Sequence, residues 1–534
     1  MNSLSLEKLF FFAFLFWILN FFWSIFTITP TVDDSWYFVP SLGLAHLNEL
    51  AFHTDNYIYY DFSKFPIFSF LQGIFLKFFL LFHIPINFYT YRFFPIIVFC
   101  FLIFSTFKLI EIFSNKLDTF LYKKTLFLIL ISVSPFSMHY MNNRPEILGL
   151  FFLISGIFFY LKSRKELIKK KLNLFITGFF LSLSIFTHPL FFILNFLLVP
   201  LILCRGLKFE NLFPFLSGLI VPSFFILFYY YFHLPISLEH LFMHSSGFPY
   251  FGWFFSYLKG IFFNENFFIN LINFYYYIPY FFSLIFVTFI FINKFFIKDF
   301  FSKDIEIIKV LLLFSILVSL FTGRSTYYNH SIYSYLVFLF IISDNCFERI
   351  KQYFEKYILT LPGIFLIPLV FFAICSWNII HTLKYYYFSN KYLINTNFLE
   401  FKNFHINNNK KFIITRSEFI PFFIKEMNNN LSFDFKNSKF FWLFPNSGRA
   451  NSLNDIKLSK EFIKNKFINK NISDSFWIIA KKNIIKMENQ FLCISIHDGV
   501  GLNPIQIKLE NYLINYNTHK YIILNSNKIS LECI

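Results

Sequence analysis

The chain has 534 residues, of which 56% are hydrophobic, 24% aromatic and only 14% charged, with a mean hydropathy of +0.56. Average soluble domains carry roughly 25% charged residues, so this balance excludes an ordinary soluble domain and describes an integral membrane protein. The net charge of +17 bears on topology, since Lys and Arg collect in cytoplasmic loops, and no nucleic-acid partner is expected.

Phe occurs 92 times beside abundant Ile, Asn and Lys, a set encoded by A/T-rich codons. Part of the aromatic excess is therefore genome bias and not an aromatic-lined ligand site. The six cysteines show no CxxC and no His partner at zinc spacing, so no metal-thiolate site is indicated.

In chain order, Leu9 to Ile28 is long enough to cross a bilayer and is followed by no small-x-small cleavage pattern, which predicts a retained first helix. A polar stretch over 29–89 follows, the first loop of the topology below. It carries the adjacent carboxylates Asp33 and Asp34 in "TPTVDDSWYF", then "HTDNYIYYDFSKFPIF" with Asp55, Tyr59, Tyr60, Asp61 and Lys64. Its last part, "FPIFSFLQGIFLKFFLLFH" over 65–83, is apolar but holds Gln72, Gly73 and Lys77 in mid-run. A Lys at mid-bilayer costs several kcal/mol, so this piece is expected to lie in the interface or to re-enter without crossing.

Further apolar runs of spanning or near-spanning length occur at 90–113, 124–140, 145–161, 172–187, 189–204, 212–232, 267–293, 305–321, 331–343 and 357–378. The basic connectors are 115–124, 162–171, 205–208, 294–303 and 348–357. The positive-inside rule puts all five on the cytoplasmic side. The result is about eleven transmembrane helices, up to about thirteen, with the N terminus inside and the C terminus outside. The first outer loop is then 29–89 and the second 139–146; "THP" (187–189), 233–266, "TGRSTYYNHS" (322–331) and everything beyond 380 are also outside.

From about Tyr385 Asn and Lys rise and long apolar runs stop. Short β-like pieces, "KFIIT" (411–415), "FWIIAKK" (476–482), "FLCISI" (491–496) and "YIILNS" (521–526), alternate with polar, helix-compatible stretches. The expected organisation is an all-α polytopic membrane domain over 1–380 and a soluble α/β domain over 381–534 on the outer face.

The polar residues of the outer loops admit structural and chemical readings. Asp33 and Asp34 suit an Asx turn or N-cap opening an interfacial helix. Two adjacent acids repel each other unless a cation, a proton or a substrate hydroxyl lies between them, which also suits a general base with a partner that orients the acceptor or holds a metal. Lys64 suits a snorkelling interfacial Lys or a phosphate ligand at headgroup level. Arg144 and Glu146 flank Pro145 in the second outer loop; Glu146 answers the helix dipole there, or supplies a carboxylate beside a phosphate-binding Arg. Arg324, Tyr328 and His330 in the late loop suit headgroup contact and His188 in "THP" suits core packing or capping; Asp55, His188, Tyr328 and His330 form the peripheral set.

An acidic pair just after the first helix, Lys64-Phe65-Pro66, Arg144-Pro145-Glu146, His188-Pro189 and a basic, aromatic late loop occur in this order. Over about residues 1–380 the chain thereby resembles the GT-C superfamily of polytopic glycosyltransferases, in particular the bacterial branch related to protein O-mannosyltransferases and the lipid A aminoarabinose transferase, family 39-type. The pair is Asp-Asp where Asp-Glu is common in the family, and Lys-Phe-Pro stands where some relatives have Lys-Pro-Pro. The resemblance implies an inverting hexosyl- or pentosyltransferase that uses a polyprenyl-phosphate-linked sugar and an acceptor glycan, lipid or protein on the non-cytoplasmic side. It implies Asp33 as base, Asp34 as second base or metal ligand, Lys64, Arg144 and Arg324 on the donor phosphate, and Glu146 as a ligand of Mg or Mn or as the residue orienting Arg144. It also implies a multi-pass protein of the bacterial inner membrane serving the cell envelope, in contact with membrane lipids. A lipid-linked glycan flippase would place charges and broken helices at mid-membrane. A polysaccharide polymerase or ligase would rely on Arg and His in a large late loop. These are the competing readings.

Overall fold

The computed structural model describes residues 32–50, 65–87, 90–112, 144–206 and 209–234, shorter pieces within 8–19, 52–59 and 120–128, residues 335, 336 and 339, and strands between 411 and 531. The helices are α1 (Val32–Leu47), α2 (Ile67–Leu81), α3 (Phe93–Ile112), α4 (Pro145–Lys165), α5 (Lys170–Ile185), α6 (Pro189–Gly206) and α7 (Phe209–Phe232). Thr90–Ile112, Pro145–Lys165 and Glu210–Phe232 are long and apolar enough to cross a membrane. The spans expected from 90, 145, 172, 189 and 212 coincide with α3 to α7. Those at 9–28, 124–140, 267–293, 305–321, 331–343 and 357–378 lie wholly or largely outside the described residues.

Two compact units are present: one of 1–28, 95–227 and 249–393, the other of 29–94, 228–248 and 394–534. In the first, α4 and α5 are antiparallel: Ser184 near the end of α5 donates to Gly149 O near the start of α4 at 3.1 Å, while Gly156 faces Leu181 and Thr177. α5 and α7 instead run parallel, in contact through two glycines. A Cβ on Gly178 would stand 2.2 Å from Phe215 O, and one on Gly218 would stand 2.1 Å from Phe175 O. Four or five residues further along each helix, Ser182 and Ser223 share a hydroxyl hydrogen bond of 2.9 Å. Small residues let membrane helices approach to backbone contact, where packing and interhelical hydrogen bonds replace the missing hydrophobic drive. Parallel α5 and α7 accord with spans that both start from a basic connector, 162–171 and 205–208.

In the second unit, α1 and α2 form a parallel pair. Ser69 Oγ donates to Tyr37 O at 2.9 Å, Ser41 Oγ donates to Gln72 Oε1 at 2.9 Å, Gly73 faces Leu44, and Lys77 Nζ donates to Asn48 Oδ1. Residue numbers rise together along both helices, so their N-terminal ends lie at one end of the pair. The link between them holds the antiparallel strands β1 (Phe52–His53) and β2 (Ile58–Tyr59). Phe38, Leu42, Ala45, Leu76, Ile86 and Tyr91 form the core between them; fully burying a side chain of this size stabilises by about 1.5–3 kcal/mol.

Both helices end in a residue with left-handed backbone. Asn48 has φ 61° and His83 has φ 57°. At His83 the stop is a Schellman motif, with His83 N–H on Leu80 O at 3.0 Å and Ile84 N–H on Phe79 O at 2.9 Å. The 15 residues of α2 rise about 22 Å, short of the roughly 30 Å hydrocarbon core. Its exposed Phe70, Ile74, Phe78 and Leu81 recur every three to four residues on the side away from α1. This is the geometry expected of a piece that enters the interface without crossing.

The strands beyond residue 410 are β3 (Lys411–Ile414), β4 (Phe440–Trp442), β5 (Phe476–Lys481), β6 (Ile485–Glu488), β7 (Phe491–Ser495), β8 (Gln506–Asn517) and β9 (Tyr521–Leu531). They form one sheet in the order β4-β3-β5-β9-β8-β7-β6. β3 pairs in parallel with β4 and β5, and every other pairing is antiparallel. The four segments expected as strands are strands. β4, β6 and β8 are additions, and β8, "QIKLENYLINYN", escapes an alternation test because Asn511 and Asn515 interrupt its apolar positions and a bulge follows Ile514.

Candidate active site

Asp33 and Asp34 stand in the first turn of α1, whose described helix begins at Val32. They therefore sit inside the helix and not at a cap before it, where partial positive charge at the N terminus favours carboxylates. The parallel pairing brings this turn level with the start of α2: Tyr37, one turn beyond Asp33, takes the Ser69 hydroxyl, and Ser69 is three residues beyond the N-cap Pro66. The last two residues of the Lys-x-Pro motif, Phe65 and Pro66, thus lie at the same end of the helix pair as the acidic turn.

Arg144, Glu146 and His188 meet in the other unit. Arg144 is extended, with φ −105° and ψ 141°, as the residue before a proline must be, and Pro145 opens α4 where its missing N–H costs nothing. That kink folds the guanidinium back over the first turn. Nε donates to Glu146 Oε2 at 3.0 Å and a terminal nitrogen to Oε1 at 2.5 Å, a two-point fork between side chains only 7% and 2% exposed. His188 lies one residue before Pro189, which opens α6, and its Nε2 is 3.7 Å from Glu146 Oε1. Its carbonyl accepts from Phe191 N at 2.9 Å, so His188 also starts α6. Below it, Asn195 Nδ2 donates to Phe191 O at 2.8 Å and Ser184 Oγ at 3.2 Å, linking α6 to α5.

Among the described residues no group of three or more His, Cys, Asp and Glu could hold a metal ion. Lys64, Asp55, Arg324, Tyr328 and His330 lie outside the described residues.

One residue escaped the sequence reading. Arg92 is fully buried in the 3-10 turn Thr90–Arg92 that leads into α3. Its Nε donates to Tyr91 Oη at 3.3 Å. The available signal was an Arg near the start of the apolar run 90–113.

No protein-family model and no curated protein sequence matches the chain. Solved structures do. The chain is similar to ArnT from Cupriavidus metallidurans bound to undecaprenyl phosphate, with a TM-score of 0.56 at 7% identity over 98% of each chain. The apo state of the same ArnT gives 0.55 at 7% identity over 98% of each. A weaker likeness, TM-score 0.40 at 12% identity over 78% of this chain and 61% of that one, is to the oligosaccharyltransferase of Archaeoglobus fulgidus in complex with Zn and sulfate. The match to ArnT runs over nearly the whole of both chains, and the chain shares the fold of that protein.

Proposed function

We propose that the protein moves a sugar from a polyprenyl-phosphate carrier to a hydroxyl-bearing glycan, lipid or protein on the non-cytoplasmic side of a bacterial inner membrane. The observation that carries this reading is the parallel α1/α2 pair, which sets the Asp33-Asp34 turn beside the end of the Lys64-Phe65-Pro66 motif. A base and a phosphate-binding cation at one level of the membrane surface is what such a transfer needs. The undecaprenyl phosphate bound to the ArnT of like fold supports a polyprenyl donor.

In this reaction Asp33 accepts the proton of the acceptor hydroxyl as that oxygen attacks the anomeric carbon. The bond from the anomeric carbon to the phosphate oxygen breaks on the opposite face, inverting the centre. The leaving phosphate needs positive charge and no acid, and Lys64, Arg144 and Arg324 supply it. Glu146 is held in the fork with Arg144, so its role here is to orient that guanidinium and not to ligate Mg or Mn. A divalent cation, where used, would fall to Asp34 and Asp33, hard oxygen ligands of the type such ions take, and would add charge next to the leaving phosphate. The C-terminal domain, 381–534, belongs to the same outer side. About eleven transmembrane helices carry the whole.

Comparison of cell-envelope glycans and lipid-linked sugars between parent and deletion strains, by mass analysis, tests the proposal. Loss of one sugar from an envelope acceptor, with its polyprenyl-linked form accumulating, is expected. An unchanged envelope with unchanged lipid-linked pools, or accumulation confined to the cytoplasmic leaflet as a lost flippase would give, overturns it.

A further inference from the structure

The turn between α4 and α5 is strongly basic. Residues 162–171 carry six cations against one acid, Glu166, and Lys162 answers that acid at 3.7 Å. Lys165 Nζ donates to Ile112 O at 2.8 Å, so it caps the last turn of α3 and brings the end of that helix to the same level. Lys169, Lys170 and Lys171 remain, at the start of α5. Lys169 is the N-cap and makes no side-chain cap bond, and no acid stands in the first turn. The partial positive charge of a helix N terminus disfavours cations there. Among the described residues no acid pairs with these three lysines.

In the same turn Asn173 is only 3% exposed, and its Nδ2 has no hydrogen-bond partner among the described residues. Helical side chains lean toward the N terminus, so this amide joins the open N–H groups of the first turn as a donor in need of an acceptor. At the tip, between the two sets of cations, Leu167 and Ile168 are 78% and 100% exposed. The 21 residues of α4 rise about 32 Å, close to the roughly 30 Å of a hydrocarbon core. With Pro145 at one surface, the turn therefore lies at headgroup level on the other. Ammonium groups and amide donors beside an apolar tip at that depth fit a phospholipid of net negative charge. We propose that the α4/α5 turn is a docking surface for such a lipid, whose phosphate sits at the N terminus of α5 among Lys169, Lys170 and Lys171 while Leu167 and Ile168 enter the upper acyl chains. This surface is independent of the proposed transfer reaction and needs only that α4 crosses the membrane.

The test uses the full-length protein in nanodiscs of phosphatidylcholine alone, or of phosphatidylcholine and phosphatidylglycerol in equal parts. The parent is expected to melt higher when phosphatidylglycerol is present, and to retain that lipid in preference to phosphatidylcholine in native mass spectra. Lys169→Gln, Lys170→Gln and Lys171→Gln combined should weaken phosphatidylglycerol retention on the order of a hundredfold, at about fivefold for each charge near an anionic surface. Lys171→Glu gives the first turn the acid it lacks. It should melt no lower than the parent in phosphatidylcholine and lose the phosphatidylglycerol increment, so it decides the matter where the triple variant fails to assemble. Ile168→Trp should add fluorescence that brominated phosphatidylglycerol quenches. A phosphatidylglycerol increment undiminished in the triple variant and in Lys171→Glu overturns the proposal. So does an equal increment from inorganic phosphate in phosphatidylcholine discs, which would mark a site for a free anion. Absence of quenching at Ile168→Trp would put the tip clear of the bilayer, as docking of a soluble protein requires, and also overturns it.

Discussion

Arg144 and Glu146, separated by a single proline, grip each other through two hydrogen bonds of 3.0 and 2.5 Å at the start of α4. The pair is buried, and removing one member of a buried pair strands the other. Glu146→Gln is therefore expected to destabilise the protein by about 3–5 kcal/mol and to loosen the guanidinium proposed above to bind donor phosphate. Glu146→Asp keeps the charge but shortens the arm, so it should hold most of the stability while raising KM for the donor. Melting curves and donor titration of the two variants check this.

The acidic pair calls for a different pattern. Asp33 is proposed as the base and not as a packing residue, so Asp33→Asn should abolish transfer with expression and melting temperature near those of the parent. Removing a general base typically costs 10²–10⁴-fold, a range that turnover with a polyprenyl-phosphate-linked sugar resolves. Full activity in both Asp33→Asn and Asp34→Asn would sink the mechanism.

How much of this was legible beforehand depended on the kind of signal. Five helices, α3 to α7, could be read because long apolar runs between basic connectors have one stable disposition in a bilayer. Lys77 is the reason α2 is expected not to cross, and its ammonium reaches Asn48 at the end of α1. Arg144-Pro145-Glu146 was visible as a motif, but its closed fork depends on the extended backbone that Pro145 imposes on Arg144. The burial of Arg92 beside Tyr91 is a property of packing that the apolar run around it does not announce. The parallel run of α1 and α2 left no sequence trace, since register between two helices is set by pairs such as Ser41 with Gln72 that no local pattern announces.

Those side-chain links can be cut individually. Gln72 is fully buried, accepts from Ser41 and donates to the Tyr91 carbonyl. Gln72→Leu fills similar volume but takes its amide donor away from the buried Tyr91 carbonyl, at about 1–3 kcal/mol, while the Ser41 hydroxyl keeps the Tyr37 carbonyl at 2.6 Å. A lower melting temperature with reduced kcat is expected, because the same links set the level of the acidic turn against Pro66. Unchanged stability would mean that the helices hold their register through apolar packing alone.

The left-handed residue at the end of α2 gives a prediction of opposite sign. His83 holds φ 57°, a conformation that costs a residue with a Cβ roughly 1 kcal/mol, and glycine adopts it freely. His83→Gly should therefore raise stability by up to about 1 kcal/mol, offset in part by the greater freedom of glycine in the unfolded chain. A fall in melting temperature would show that the His83 side chain, and not the backbone stop, secures the end of the helix.

The α5 and α7 crossing offers the severest test of the packing. At Gly178 and Gly218 the neighbouring atoms are backbone, at 2.2 and 2.1 Å from where a Cβ would stand, so no side chain can turn aside to make room. Gly218→Ala must push the helices apart, at about 1–3 kcal/mol for overpacking, and lengthen the Ser182 to Ser223 hydrogen bond beyond it. Gly218→Leu should prevent assembly of the bundle and be lost from the membrane fraction. Gly206, the last residue of α6, lies outside that crossing, and Gly206→Ala serves as the control. Equal tolerance of alanine at positions 206 and 218, judged by melting temperature in detergent, would contradict the close parallel approach of α5 and α7.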